Sequence, residues 1–113
     1  MTVRVPVKER QRFEPLLKGV HYILTVDDYQ IECKRIYQAF IEMFRYLGFE
    51  NPRQAVKDHY STDIIRDHFI PRIQIWGMDS GIIDEYRDDD ETIRHHWSIV
   101  KVQEDSQIHE YLD

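Results

Sequence analysis

The chain has 113 residues, a net charge of −6 and one cysteine, Cys33. That length suits one core and one domain, 1–113, while a lone cysteine excludes an internal disulfide and a multi-cysteine zinc site. Aromatic residues make up 12% of the chain, too many for a disordered one. The first residues, Met1 to Pro6, interleave charge with apolar residues, so no secretory leader is expected. No run approaches the ~20 apolar residues of a membrane helix. The expectation is therefore a cytoplasmic (or intravirion) protein without membrane association.

Charge is spread unevenly. Residues 1–20 carry five basic and two acidic side chains, whereas residues 79–113 carry three basic and eleven acidic ones. An acidic final third disfavours direct nucleic-acid binding and suits a basic protein partner.

In chain order, Val3, Val5 and Val7 alternate with Thr2, Arg4 and Pro6, which predicts a short strand. The proline confines it to a sheet edge or an arm within an N-terminal segment 1–19. Val20 to Val26 is an apolar run that reads as a strand or as the lead-in to a helix. From Val26 to Leu47 the residues Tyr29, Cys33, Ile36, Phe40, Met43 and Leu47 recur at spacings of four and three. This predicts one long amphipathic helix, capped by Thr25, with Asp27 and Asp28 in its first turn. Gly48 is its expected left-handed stop and Phe49 the hydrophobic contact that accompanies it. Cys33, on the apolar stripe, reads as a small core residue.

Asn51-Pro52-Arg53-Gln54 is a second start signal, with a capping asparagine and proline at the first helical position. It opens a short helix to about Tyr60. Ser61 to Asp63 caps a third helix or continues the second, and Pro71 is expected to end the helical part, 26–70. Beyond it the period becomes two. Arg72 to Trp76, Ile82 to Arg87 and Thr92 to Gln103 predict a three-stranded antiparallel meander over 72–103, with a turn at Gly77–Gly81 and an acidic tip at Asp88–Glu91. Residues 104–113 form a weak helix or tail. The fold class is thus α+β, with helices packed on a small antiparallel sheet.

Motifs of known chemistry are absent: the four glycines make no phosphate loop or dinucleotide fingerprint, and no metalloprotease or nucleophile-elbow pattern occurs. No cofactor is expected. The repeated pairs Asp58-His59 and Asp67-His68 would lie on opposite sides of an unbroken helix, so they do not chelate jointly. Asp63 and Asp67, one turn apart, are better placed to share a cation. Polar surface and capping still account for all of these, and no metal site is expected. The tip Asp88–Glu91 lacks the alternation and central glycine of a calcium loop. A helix-turn-helix reader in 52–70 is disfavoured by Asp63 and Asp67 beside Arg66.

One constellation is sharper. With Arg87 opposite Thr92, Asp84 falls opposite His95 and Glu85 opposite Arg94. Ile82, Asp84, Tyr86, Ile93, His95, Trp97 and Ile99 would then share a face. A carboxylate–histidine pair in apolar company is where a general base could sit. Two readings result. The favoured one is a noncatalytic interaction or regulatory protein, expected as a homodimer, whose Asp88, Asp89, Asp90 and Glu91 meet a basic (nucleic-acid-binding) surface of a protein partner. The alternative is a small enzyme that uses Asp84 and His95 in a pocket between sheet and helix.

Overall fold

The computed structural model describes the backbone of Arg4–Pro6 and, in full, residues 18–102. The expected features of 7–17 and 103–113, including the terminal helix or tail, lie outside the described residues. The fold is α+β. Strands β1 (Arg4–Pro6), β2 (Tyr22–Val26), β3 (Tyr29–Cys33), β4 (Met78–Tyr86) and β5 (Thr92–Lys101) form one antiparallel sheet in the order β1-β3-β2-β5-β4. Between β3 and β4 lie α1 (Ile36–Tyr46), α2 (Pro52–His59) and a third helix, α3, built of the consecutive stretches Thr62–Ile64, Ile65–Phe69 and Ile70–Trp76. The proline-containing β1 takes an edge, as its missing donor requires.

The long helix expected over 26–47 is not formed. Its first third is the β2–β3 hairpin, in which Val26 pairs with Tyr29 around the two-residue turn Asp27-Asp28. Asp27 adopts a φ of 51°, a conformation aspartate tolerates better than most residues. The misreading has a simple cause. Tyr29 and Cys33 are four apart, a spacing that keeps two residues on one face of a strand as well as of a helix, and Ile31 between them is also buried. The helix begins at Ile36, and from there the expected stripe holds: Ile36, Phe40, Met43 and Phe44 are buried, joined by Ala39. Tyr37, one position on from Ile36, is exposed.

The stop at Gly48 forms as its sequence requires. Phe49 N–H donates to Phe44 O and Gly48 N–H to Arg45 O, both at 3.1 Å, while Gly48 has φ 91°. The Phe49 ring packs edge-on against Phe44 at 5.3 Å, completing a Schellman motif. Asn51 caps α2 by accepting the Gln54 N–H at 3.2 Å, and Ser61 caps α3 by accepting the Ile64 N–H at 3.1 Å.

Pro71 does not end the helix. The turn before it, Ile65–Phe69, widens to π geometry, with Ile70 N–H donating to Ile65 O. The wider turn accommodates a ring that would clash with the carbonyl four residues back in an α-helix. The helix then runs on to Trp76 and closes at Gly77. The strand expected at 72–76 is therefore helical, and the three-stranded meander reduces to the single β4–β5 hairpin. β4 spans the turn expected at Gly77–Gly81.

One face of the sheet carries the core. Leu24, Val26, Ile31, Ile83, Trp97 and Ile99 meet Phe40, Met43 and Phe44 of α1 and Ile65, Phe69 and Ile73 of α3. Trp97 lies at its centre, within 5.4–6.2 Å of the rings of Phe40, Phe69 and Tyr60. Its indole N–H donates to Tyr60 Oη at 2.9 Å. The ring fits because residue 81 is glycine: a Cβ there would stand 2.6 Å from Trp97 Cζ2. Cys33 is buried as expected. Burial first, then the nearby Glu42 and Glu32 carboxylates, push its thiol up to about 12.

Candidate functional site

The β4–β5 hairpin carries every residue singled out for function, and its register differs from expectation by one residue. Asp84 pairs with Arg94, Glu85 with Ile93, Tyr86 with Thr92 and Ile83 with His95. The reason is the tip. Arg87 N–H donates to Glu91 O at 3.0 Å and Asp90 N–H to Arg87 O at 3.1 Å, so three residues, Asp88 to Asp90, make the bend. Asp90 takes the left-handed conformation, φ 61°. A three-residue loop closed by such a residue is a standard hairpin connection. The expected four-residue tip has the opposite parity, and one residue of slip moves a whole strand's side chains across the sheet.

Asp84 is accordingly not the partner of His95. It lies on the open face, where it accepts from Arg94 Nε at 3.0 Å. Ile82 and Tyr86 lie on that face with it rather than with His95. His95 points to the core side, only 9% exposed, between two other carboxylates. Its Nδ1 is 3.0 Å from Asp27 Oδ2 and its Nε2 is 2.9 Å from Glu85 Oε2. Asp27 comes from the β2–β3 turn and Glu85 from the tip end of β4, so the imidazole ties the β4–β5 hairpin, just below its tip, to the β2–β3 turn. Burial alone would lower the His95 pKa. Hydrogen bonds donated by the ring to Glu85 and Asp27, with the attraction of both charges, outweigh it and raise the pKa above the ordinary histidine value.

This arrangement limits the chemistry of His95. When charged, the ring donates from both nitrogens and has no lone pair to offer a substrate. A general base needs one nitrogen within reach of the proton it abstracts. The neighbouring depression, of about 320 Å³, is lined by Leu47, Phe49, His59, Asp84, Glu85 and Tyr86 among others, with His95 not in its wall.

The other expected residues separate from this cluster. Asp88, Asp89, Asp90 and Glu91 are all exposed at the tip, where Asp89 Oδ1 accepts the Glu91 N–H at 3.3 Å. None of the four forms an ion pair among the described residues. Asp63 and Asp67 both turn to Arg66, at 3.0 and 2.8 Å, so the cation they share is a side chain of their own helix. Arg66 also holds the Asp67 carboxyl below the usual range. His59 Nδ1 lies 3.0 Å from Ala55 O, with its ring against Phe44 and Phe49. No group of three or more His, Cys, Asp or Glu side chains among the described residues is placed to hold a metal ion, and no helix among them is long and apolar enough to cross a membrane.

Asp27 and Glu85 were missed in the sequence for separate reasons. Asp27 reads from the sequence as part of a helical first turn, and the one-residue register slip puts Glu85 on the open face. Two signals could have found them: Asp-Asp between two apolar runs is a tight-turn dipeptide, and Asp90 can close a three-residue loop. No protein-family model, curated protein or solved structure matches this chain.

Proposed function

We propose that this protein is a noncatalytic interaction protein whose acidic hairpin tip, Asp88–Glu91, engages a basic surface on a protein partner. The observation that carries the reading is a run of four exposed carboxylates that lack ion-pair partners among the described residues. They sit on a hairpin braced just below its tip by the Asp27–His95–Glu85 hydrogen bonds. The neighbouring cations do not neutralise the tip: Arg94 is held by Asp84 at 3.0 Å, and Arg87 is 3.9 Å from Glu85. Uncompensated charge at a projecting point steers association with an opposite charge and fixes orientation. Engagement of both His95 nitrogens supports the noncatalytic reading over an enzyme that uses Asp84 and His95.

The test is an NMR titration of the labelled protein with an arginine-rich peptide. Amide shifts should concentrate at 87–91 and shrink with added salt, since exposed charges are screened beyond ~10 Å at 0.1 M ionic strength. The Asp88→Asn, Asp89→Asn, Asp90→Asn, Glu91→Gln variant should lose them. Shifts that map elsewhere, or that survive all four substitutions, overturn the reading.

A further inference from the structure

The outer edge of the sheet carries a second surface, independent of the acidic tip. β4 is the terminal strand opposite β1, and two hydrogen bonds show how its backbone points. Lys101 N–H donates to Gly77 O at 2.6 Å, while Ile82 O faces away from β5 and accepts from Tyr60 Oη at 3.4 Å. Odd-numbered residues of β4 therefore bond to β5. Met78, Ser80, Ile82, Asp84 and Tyr86 aim N–H and C=O outward, and among the described residues no strand pairs with them. Tyr60 reaches the Ile82 carbonyl from the core side, over Gly81, and a carbonyl retains a second lone pair.

The same residues project their side chains onto the open face, and there the pattern is apolar. Met78 is 52% exposed, Ile82 49% and Tyr86 79%. Ile75 and Trp76, just before the strand, are 73% and 63% exposed. Proteins usually blunt a long exposed edge with lysine, proline or a bulge, and β4 holds neither lysine nor proline.

We infer that β4 pairs antiparallel with β4 of a second copy of this chain, about a two-fold axis at Ile82, joining two sheets into one. The outward-facing residues of β4, Met78, Ser80, Ile82, Asp84 and Tyr86, run apolar, polar, apolar, polar, apolar and so are symmetric in character about Ile82. Ile82 is the midpoint of Met78–Tyr86, so the axis there pairs the full strand. It sets Ile82 against Ile82 and each Met78 against Tyr86 of the second copy. Asp84, already paired with Arg94, faces Ser80 of the second copy. On the other face Asp79, paired with Arg72 at 3.1 Å, faces Glu85 of the second copy, which His95 holds at 2.9 Å. Other registers lose this. An axis at Ile83 opposes Ile82 to Asp84, one at Gly81 opposes Met78 to Asp84, and one at Asp84 sets two carboxylates face to face. A two-fold contact sets each residue against the one equidistant from the axis in the second copy, so this register matches apolar residues at the axis and at both ends of the strand. The two acidic tips would lie at opposite ends of the paired strands, clear of the axis.

Sedimentation equilibrium of the full chain tests the inference. The parent should sediment at twice the chain mass. Ile82→Lys, which brings two like charges together at the axis, should weaken dimerisation by about 100-fold or more while leaving the far-UV spectrum unchanged. If that variant fails to fold, Ser80→Pro removes an outward N–H without touching the β5 ladder and should have the same effect. Ile82→Cys supplies a separate readout. Opposed residues in a hydrogen-bonded antiparallel pair lie ~5.5 Å apart at Cα, within disulfide range, so mild oxidation should give a covalent dimer. Tyr37→Cys, on exposed α1, should not cross-link, and buried Cys33 does not compete. A parent that is monomeric at its highest soluble concentration, a dimer unaffected by both edge variants, or equal cross-linking through Tyr37→Cys overturns the inference. The first of these outcomes would leave the edge to a strand from a different protein.

Discussion

Gly81→Ala tests the centre of the fold by adding a single methyl group. The new Cβ would lie 2.6, 2.7 and 2.8 Å from Trp97 Cζ2, Cε2 and Nε1, roughly 1 Å inside ordinary carbon contact. Trp97 has little room to retreat. Phe40 and Phe69 hold their ring centroids 5.5 and 5.4 Å from its own, and Tyr60 anchors its N–H at 2.9 Å. Overpacking of this kind costs about 1–3 kcal/mol, and displacing the indole hydrogen bond adds about 1 kcal/mol. The expected loss is about 2–4 kcal/mol, or a Tm about 10–20 °C lower for a domain of this size. Guanidinium unfolding gives the free energy, and near-UV circular dichroism reports the Trp97 environment. Gly48→Ala is the contrast: it meets nothing within 4 Å but sits at φ 91°, so it should cost only about 1 kcal/mol of backbone strain. A Gly81→Ala loss below about 0.5 kcal/mol, with the near-UV spectrum intact, would refute the packing argument.

The His95 titration should respond to Glu85→Gln, which removes a charge from Nε2 and lowers the ring pKa, and should ignore Asp84→Asn. NMR of the ring resonances distinguishes these outcomes. Because the folded pKa is raised, the charged ring stabilises the fold fully below the unfolded value of ~6.5, and this contribution fades as pH rises through the folded value. Denaturant unfolding across that pH window, in the parent and in Glu85→Gln, should show the parent losing more. Phe40→Ala, at a position with no exposure, should cost about 3–5 kcal/mol by the same measurement. Asn51→Ala should cost about 1 kcal/mol, because the Gln54 N–H loses its acceptor.

What the sequence disclosed and what it hid follow from the range of the interactions involved. Caps and stops were legible because a few adjacent residues settle them: Gly48-Phe49, Asn51-Pro52 and Ser61 each act as read. The α+β class was legible because strand patterns over 82–87 and 92–103 stand beside a helical stripe, although the change of period expected at Arg72 comes only after Gly77. The β2–β3 hairpin was hidden because a spacing of four satisfies both periods, and only the partners across the sheet decide between them. Pro71 misled because its usual meaning assumes α geometry, and a π turn relaxes that assumption. The His95 cluster depends on a loop of three residues rather than four and on Asp27, 68 positions away. Neither periodicity nor composition carries information of that kind.

The burial of Cys33 has a use in kinetics. With the thiol pushed up to about 12 by burial, far less of it is thiolate at pH 7 than in a free cysteine. An alkylating reagent therefore waits for β3 to separate from α1 before it reacts. The modification rate in native buffer then measures how often that part of the core opens, and its ratio to the rate in denaturant gives the opening equilibrium. The chain's sole sulfhydryl is thus a built-in clock for the β2–β3 half of the sheet, requiring no introduced label.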